Sequence, residues 1–408
     1  QDDRAPYIYR TTDYGKTWKT IVEGIRAGDY VHAVREDTTR PGLLYAGTEH
    51  GFYVSFDDGD HWQSLSLNLP DTQVSDIVVQ GDDVVIATHG RSFYVLDDVS
   101  PLRQLSAEVA QTANLHLFTP ETAIRRTQPL TVNYFLKEKA SKVTVEILDA
   151  RGKVIRGYVG EPEDPNKPRE GAAGGGGGFR RQAQKPGFEA GLNRFTWDMR
   201  YPGATVFPGM ILWGASAEQG PLAVPGNYQV RVTAAGVTQT QAFRIIEDPR
   251  STATQADLQA EFDLAMQIRD KVSMANQAVI DVRKVRPQIT DRLGKTQAAD
   301  LHSAGDVLTK KLTDVEEAIY QVRNRSGQDP LNFPIKLNNK IAHIQEVVED
   351  GDYKPTDQSY AAVKELAGEL DVQLAKLKAI MGADLEAFNK LLAANNLDAV
   401  KLGAGGEK

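Results

Sequence analysis

Two periods divide the chain. Up to about Asp248 apolar residues alternate with polar ones or gather in short runs, as strands require. After Asp248-Pro249-Arg250 they recur every three or four positions, as helices require. Four stripes are legible there. They are Leu264, Ile268, Val272, Ala275, Val279 and Val282; Leu308, Leu312, Val315, Ile319 and Val322; Leu337, Ile341, Ile344 and Val348; and Val363, Leu366, Leu370, Leu374, Leu377 and Met381. Joined by short polar connections, they predict an all-α, up-and-down four-helix-type bundle over residues 249–400. Asp329-Pro330 and Thr356-Asp357 stand where helices are expected to start, and residues 401–408 read as a disordered tail.

The β half divides again near residue 113. Over residues 114–248 strands are predicted at Leu130–Leu136, Val143–Ile147, Val154–Ile155, Asn193–Asp198, Tyr228–Val232 and Ala242–Ile246, with Pro225-Gly226-Asn227 as a turn. Five to seven strands over that length suggest an immunoglobulin-like β-sandwich. The Gly-rich loop 171–178 reads as a flexible insertion in a hairpin, because a phosphate-cradling loop would need a following helix and a suitably placed Lys.

Residues 1–113 carry an internal repeat. Thr11-Thr12-Asp13-Tyr14-Gly15-Lys16-Thr17-Trp18 and Ser55-Phe56-Asp57-Asp58-Gly59-Asp60-His61-Trp62 both read Ser/Thr-x-Asp-x-Gly-x-x-Trp, with Asp13 and Asp57 44 residues apart. That spacing falls in the period of four-stranded propeller blades. The motif has a mechanical reading: Asp accepts backbone N–H groups, Gly supplies a positive φ, and Trp18 and Trp62 pack beneath the hairpin as buried residues. The segment Leu43–Val54 is echoed by Val84–Val95, each a strand, a tight turn and a strand, but the second copy lacks the Gly and Trp of the box, and Pro101 ends it.

In a four-stranded antiparallel unit, the turn between the second and third strands lies at the opposite end from the turn between the third and fourth. The boxes occupy the latter, so Glu49-His50 and Thr88-His89-Gly90-Arg91 are expected on the other face. His50, His89 and Arg91 are the candidate ligand-binding residues there, an Arg beside a His being suited to a carboxylate.

Composition narrows the function. A net charge of −8 over 408 residues, with no Lys/Arg cluster interleaved with aromatics, argues against nucleic acid as a partner. No apolar run approaches the roughly 18 residues of a membrane span. With no cysteine there is neither a disulfide nor a thiolate metal site. The seven histidines show no HExxH pattern, no Gly-x-Ser-x-Gly elbow is present, and Asp57-Asp58-Gly59-Asp60 lacks the later oxygen ligands of a calcium loop. No metal, cofactor or catalytic residue is assigned.

The boxes, the run Ala87–Asp98, the segment Asn193–Tyr201 and the helical tail together resemble the C-terminal part of bacterial sortilin-like, BNR (Asp-box) repeat "glycosyl hydrolase" β-propeller proteins. The resemblance implies the terminal blades of an Asp-box propeller over 1–113, completed by further blades upstream. It also implies an extracellular, cell-surface or periplasmic place with a signal peptide upstream, and a protein or glycan ligand. Sialidase chemistry requires an arginine triad, a Tyr/Glu nucleophile pair and an acid Asp, and none maps onto this sequence. The chain therefore reads as a non-catalytic binding protein of multidomain, all-β then all-α build. The alternative is a sialidase-like glycoside hydrolase whose catalytic residues sit in blades outside this chain.

Overall fold

The computed structural model describes residues 2–106, 109, 113–162 and 185–402. The Gly-rich loop 171–178 and residues 403–408 lie outside the described residues. The architecture is mixed: mostly antiparallel sheets, with the strand Ala123–Ile124 paired in parallel to the strand Val237–Ile246, followed by a C-terminal region of five helices.

Three sheets come first. β1 (Tyr9–Arg10) pairs with β2 (Lys19–Thr20); β3 (Val31–Glu36), β4 (Leu44–Thr48), β5 (Phe52–Ser55) and β6 (Gln63–Ser64) form a four-stranded meander; β7 (Val74–Gln80), β8 (Asp83–Thr88) and β9 (Phe93–Leu96) form a third sheet. The repeat extends to the register. Tyr9 opposes Thr20 as Tyr53 opposes Ser64, and Arg10 opposes Lys19 as Val54 opposes Gln63. A bulge follows Val31 in β3 and Val74 in β7, at the same place in both sheets. A closed propeller is not seen among the described residues.

Each box closes on itself in the same way. The Thr11 hydroxyl accepts the Gly15 N–H at 2.8 Å and donates to Asp13 at 3.0 Å, and Asp13 accepts the Thr17 N–H at 2.8 Å. Ser55, Gly59, Asp57 and His61 repeat the pattern, each bond 2.9 Å. The backbone needs two left-handed residues in a row, Tyr14 (φ 61°) with Gly15 (φ 87°) and Asp58 (φ 60°) with Gly59 (φ 88°), a conformation that only the second position's glycine adopts without cost. Asp58 and Asp60 are taken up by Arg10 at 2.8 and 3.0 Å, and Asp60 also by Lys19 at 2.8 Å, which leaves the box's acids engaged in joining two sheets.

The two tryptophans differ. Trp62 is 4 % exposed and buried as expected, but Trp18 is 60 % exposed, contrary to the sequence expectation. The reason is the neighbour rather than the motif. The Trp62 ring is covered by the segment from Ile21 to Ile25 that follows β2, whereas among the described residues no sheet precedes β1 to cover Trp18.

α1 (Ser100–Gln104) leads into the sandwich, one layer being β10 (Leu115–Leu117), β12 (Leu130–Leu136) and β15 (Gly191–Trp197). The other is β11 (Ala123–Ile124), β19 (Val237–Ile246), β18 (Gly226–Ala234), β13 (Val143–Asp149) and β14 (Val154–Gly160). The layers share one core, with Val132, Tyr134 and Trp197 meeting Val145, Val230 and Ile245. A separate ribbon, β16 (Arg200–Pro202) with β17 (Gln219–Leu222), reaches toward the helices. The segment between its strands joins their core through Phe207 and Ala217.

The helical region holds five helices where four were expected: α2 (Gln255–Leu293), α3 (Ala299–Ile319), α4 (Leu337–Val348), α5 (Asp357–Ala379) and α6 (Leu385–Ala394). α2 starts on a capping box, Thr254 accepting the Asp257 N–H at 3.2 Å while Asp257 accepts the Thr254 N–H at 3.0 Å. Thr356 caps α5 as its sequence suggests. Asp329-Pro330 starts only one 3₁₀ turn, because Pro334 has no N–H to continue it. A π turn over Ile380–Asp384 shifts the apolar stripe and separates α6, which buries Leu385, Phe388 and Leu392.

Candidate functional site

The candidate residues lie at the end of the sheets away from the boxes, since Phe52 starts and Ser55 ends the strand between the β4–β5 turn and the second box. Both turns close alike. Thr48 donates its N–H to the Gly51 carbonyl at 2.9 Å, and Thr88 donates to that of Ser92 at 3.0 Å, their hydroxyls reinforcing the same bonds at 3.0 and 2.6 Å.

His50 is fixed from two sides. Its N–H donates to Asp29 at 2.9 Å, and its Nδ1 lies 2.9 Å from Asp71 Oδ1. Asp29, itself buried, also accepts the Tyr53 hydroxyl at 2.9 Å. His89 is held by its backbone, donating its N–H to the Gln73 carbonyl at 3.0 Å while its own carbonyl accepts the Thr72 hydroxyl at 3.4 Å. The segment 71–73 thus ties the His50 turn to the His89 turn. Arg91 is exposed and makes no ion pair among the described residues.

Glu49 completes the rim. It lies 2.9 Å from His32 Nε2 and bonds the Tyr30 hydroxyl; the His32 contact holds its carboxyl below the usual range. The hydrogen bond to Glu49 raises Tyr30 above an ordinary phenol, opposite to what a tyrosine nucleophile needs. Asp29, Glu49 and Asp71 are therefore each occupied in fixing the rim. Among the described residues no group of three His, Cys, Asp or Glu side chains could hold a metal ion.

Sequence reasoning named His50, His89 and Arg91 but missed Asp29, Tyr30, His32 and Asp71. The signal was positional: Asp29 and Tyr30 precede β3 as Thr72 and Gln73 precede β7, and Tyr30 and Gln73 accept equivalent N–H groups, from Glu49 and His89.

Two polar clusters elsewhere gave no sequence signal. Arg125, fully buried in the sandwich, donates to Glu261 of α2 at 2.8 Å and to Asp352 beyond α4; Arg126 joins the same two carboxylates. Beside them Arg200 meets Glu349 at 3.1 Å, lining a cleft of about 120 Å³ with Gln219, Gln345, Glu346 and Asp350. At the joint between the third sheet and the sandwich, burial and then the carboxylates of Asp98 and Asp82 push Glu121 up to about 7. Asp98 there also accepts from Asn133 at 2.8 Å, and Arg103 pairs with Asp82.

No family model matches the chain, and no curated protein does. Among solved structures, the extracellular domain of a hybrid two-component system from B. thetaiotaomicron is 9 % identical, covering 59 % of this chain with a TM-score of 0.19. This chain spans 29 % of its length. A structure named pT26-6p is 6 % identical with a TM-score of 0.12, covering 67 % of this chain and 90 % of its own. Neither superposes well enough to carry a fold or a function across.

Proposed function

We propose that this chain is a non-catalytic binding protein that takes a carboxylate-bearing protein or glycan ligand on the rim of the 49–51 and 88–92 turns. The observation that carries the reading is the asymmetry of the rim's charges. Its acids are engaged in holding His32, His50 and the turn backbones, whereas Arg91 stands exposed without a carboxylate on the turn whose His89 backbone the 71–73 segment fixes, so an incoming acid meets an uncompensated cation there. An extracellular or cell-surface place rests on the Asp-box resemblance alone.

The test is a glycan array with carboxylate-bearing and neutral members. Preferential retention of the acidic members, reduced about tenfold or more by Arg91→Ala, is the expected result for a lost charged hydrogen bond. Equal binding of neutral and acidic members, or no effect of Arg91→Ala, overturns the reading. Turnover of chromogenic glycosides that depends on Glu49 or Asp71 would overturn its non-catalytic half.

A further inference from the structure

The third sheet and the sandwich meet through a polar joint, and most of its groups are matched donor to acceptor. Gln104 of α1 and Thr119, which follows β10, exchange two hydrogen bonds at 3.1 and 2.8 Å. Asn133 of β12 donates to Asp98, just beyond β9, at 2.8 Å. Arg194 of β15 reaches the Asp97 carbonyl at 3.4 Å and the Asp98 carboxylate at 3.8 Å. Each of these contacts pairs a group of one part with a group of the other.

Glu121, between β10 and β11, breaks that pattern. Its Oε1 is buried with no hydrogen-bond donor among the described residues. What it faces instead are the carboxylates of Asp98 and Asp82, the latter in the β7–β8 turn. The cations of the joint are turned elsewhere: Arg103 of α1 pairs with Asp37 and Asp82, and Arg194 with Asn133 and Asp98. Asp83 brings no cation either, its carboxylate accepting the Asp98 N–H at 3.1 Å. Carboxylates gathered in one place resist ionising together, and a hydrogen bond between two of them needs a proton on one. Glu121 is the member that takes it, because burial and then its two acidic neighbours raise it to about 7.

We propose that this proton operates the joint: with Glu121 protonated, its carboxylic acid bridges to Asp98 and Asp82 and holds the third sheet against the sandwich, and with the proton released to water the three carboxylates repel and the contact opens. Glu121 comes from the sandwich and both of its neighbours from the ends of third-sheet strands, so the proton is shared across the joint and not within one side of it. The joint is therefore closed on the acid side and open on the alkaline side. A joint held by arginines on ionised acids would behave in the opposite sense, since acid discharges the carboxylates.

The chain has no cysteine, so Val78→Cys in β7 and Leu192→Cys in β15, both at exposed positions, supply its only thiols for spin labels. The distance between the labels should be narrowly distributed at about pH 5.5 and longer and broader at about pH 8.5, with a midpoint near 7. Glu121→Gln in the same background should keep the narrow distribution at both values, because its amide donates at any pH. Asp82→Asn, at a half-exposed side chain, removes one of the two neighbouring charges and should move the midpoint to lower pH. A parent distribution that stays the same over this range overturns the proposal. So does a Glu121→Gln variant that opens as the parent does, which would place the titration elsewhere, as on His116 of β10, and so does an Asp82→Asn midpoint equal to the parent's.

Discussion

The Trp62 indole donates its N–H to the Ile21 carbonyl at 3.0 Å, across 41 residues of sequence. One hydrogen bond thereby pins the second box to the preceding sheet, and the ring packs with Ile8, Ile21 and Ile25 in the small core between the two. Trp62→Ala should cost about 3–5 kcal/mol, in line with large aromatic truncations. Trp18→Ala should change stability by less than about 0.5 kcal/mol, as exposed positions do. Denaturant unfolding of both variants checks the contrast, and equal losses would remove the account of why the two boxes differ.

The box glycines should differ too. A Cβ at Gly59 would lie 2.4 Å from Ile21 Cδ1, whereas at Gly15 the nearest atom is Trp18 Cζ2 at 3.8 Å. Both substitutions meet the left-handed strain of roughly 1–2 kcal/mol. Gly59→Ala should therefore be the more damaging, since Ile21 must also move within a packed core. Unfolding midpoints falling equally for the two variants would contradict this.

Asp57→Ala removes the acceptor of the His61 N–H and of the Ser55 hydroxyl. A loss of roughly 1–2 kcal/mol is expected for unmade hydrogen bonds in a turn. Asp13→Ala removes the same pair of bonds from the first box and should cost a similar amount, read by the same unfolding measurement.

Glu121 predicts a pH dependence. Its folded value is raised from 4.5 to about 7, so between those values the folded chain holds a proton that the unfolded chain has released. The resulting stability is fully present below about pH 4.5 and is lost as pH rises through about 7. Glu121→Gln keeps a donor toward Asp82 and Asp98 without a titrating proton. Thermal midpoints measured across that window should slope less for the variant than for the parent.

What the sequence disclosed and what it hid divide by distance along the chain. The boxes were legible because their bonds join residues two and four apart, as in Asp13 with Thr11 and Thr17. The helical stripes were legible for the same reason. The burial of Trp18 was misjudged because burial is a property of the neighbouring sheet, which the motif does not encode. The rim's anchors were missed because Asp29 and Asp71 each reach His50 from 21 residues away. Arg125 was missed because its carboxylates stand 136 and 227 residues downstream, where no local pattern announces them.

Arg125→Met should cost about 3–5 kcal/mol, because Glu261 and Asp352 would be left in a buried site with only Arg126, among the described residues, still paired to them. Glu261→Gln should cost less, since Arg125 keeps Asp352 and the Ala223 carbonyl. Thermal unfolding of the two variants orders them.

The same cluster is assembled from residues made far apart in time. Asp352 is synthesised 227 residues after Arg125, which at about 5–20 residues per second is a wait of roughly ten to fifty seconds. A sandwich sealed within that interval would hold the Arg125 guanidinium without Asp352, and for the first 136 residues without Glu261 as well, at the cost of a buried charge lacking its partners. Asp352, the last acid of the cluster along the chain, thus acts as a latch in the folded protein, joining the β-rich half to the segment between α4 and α5.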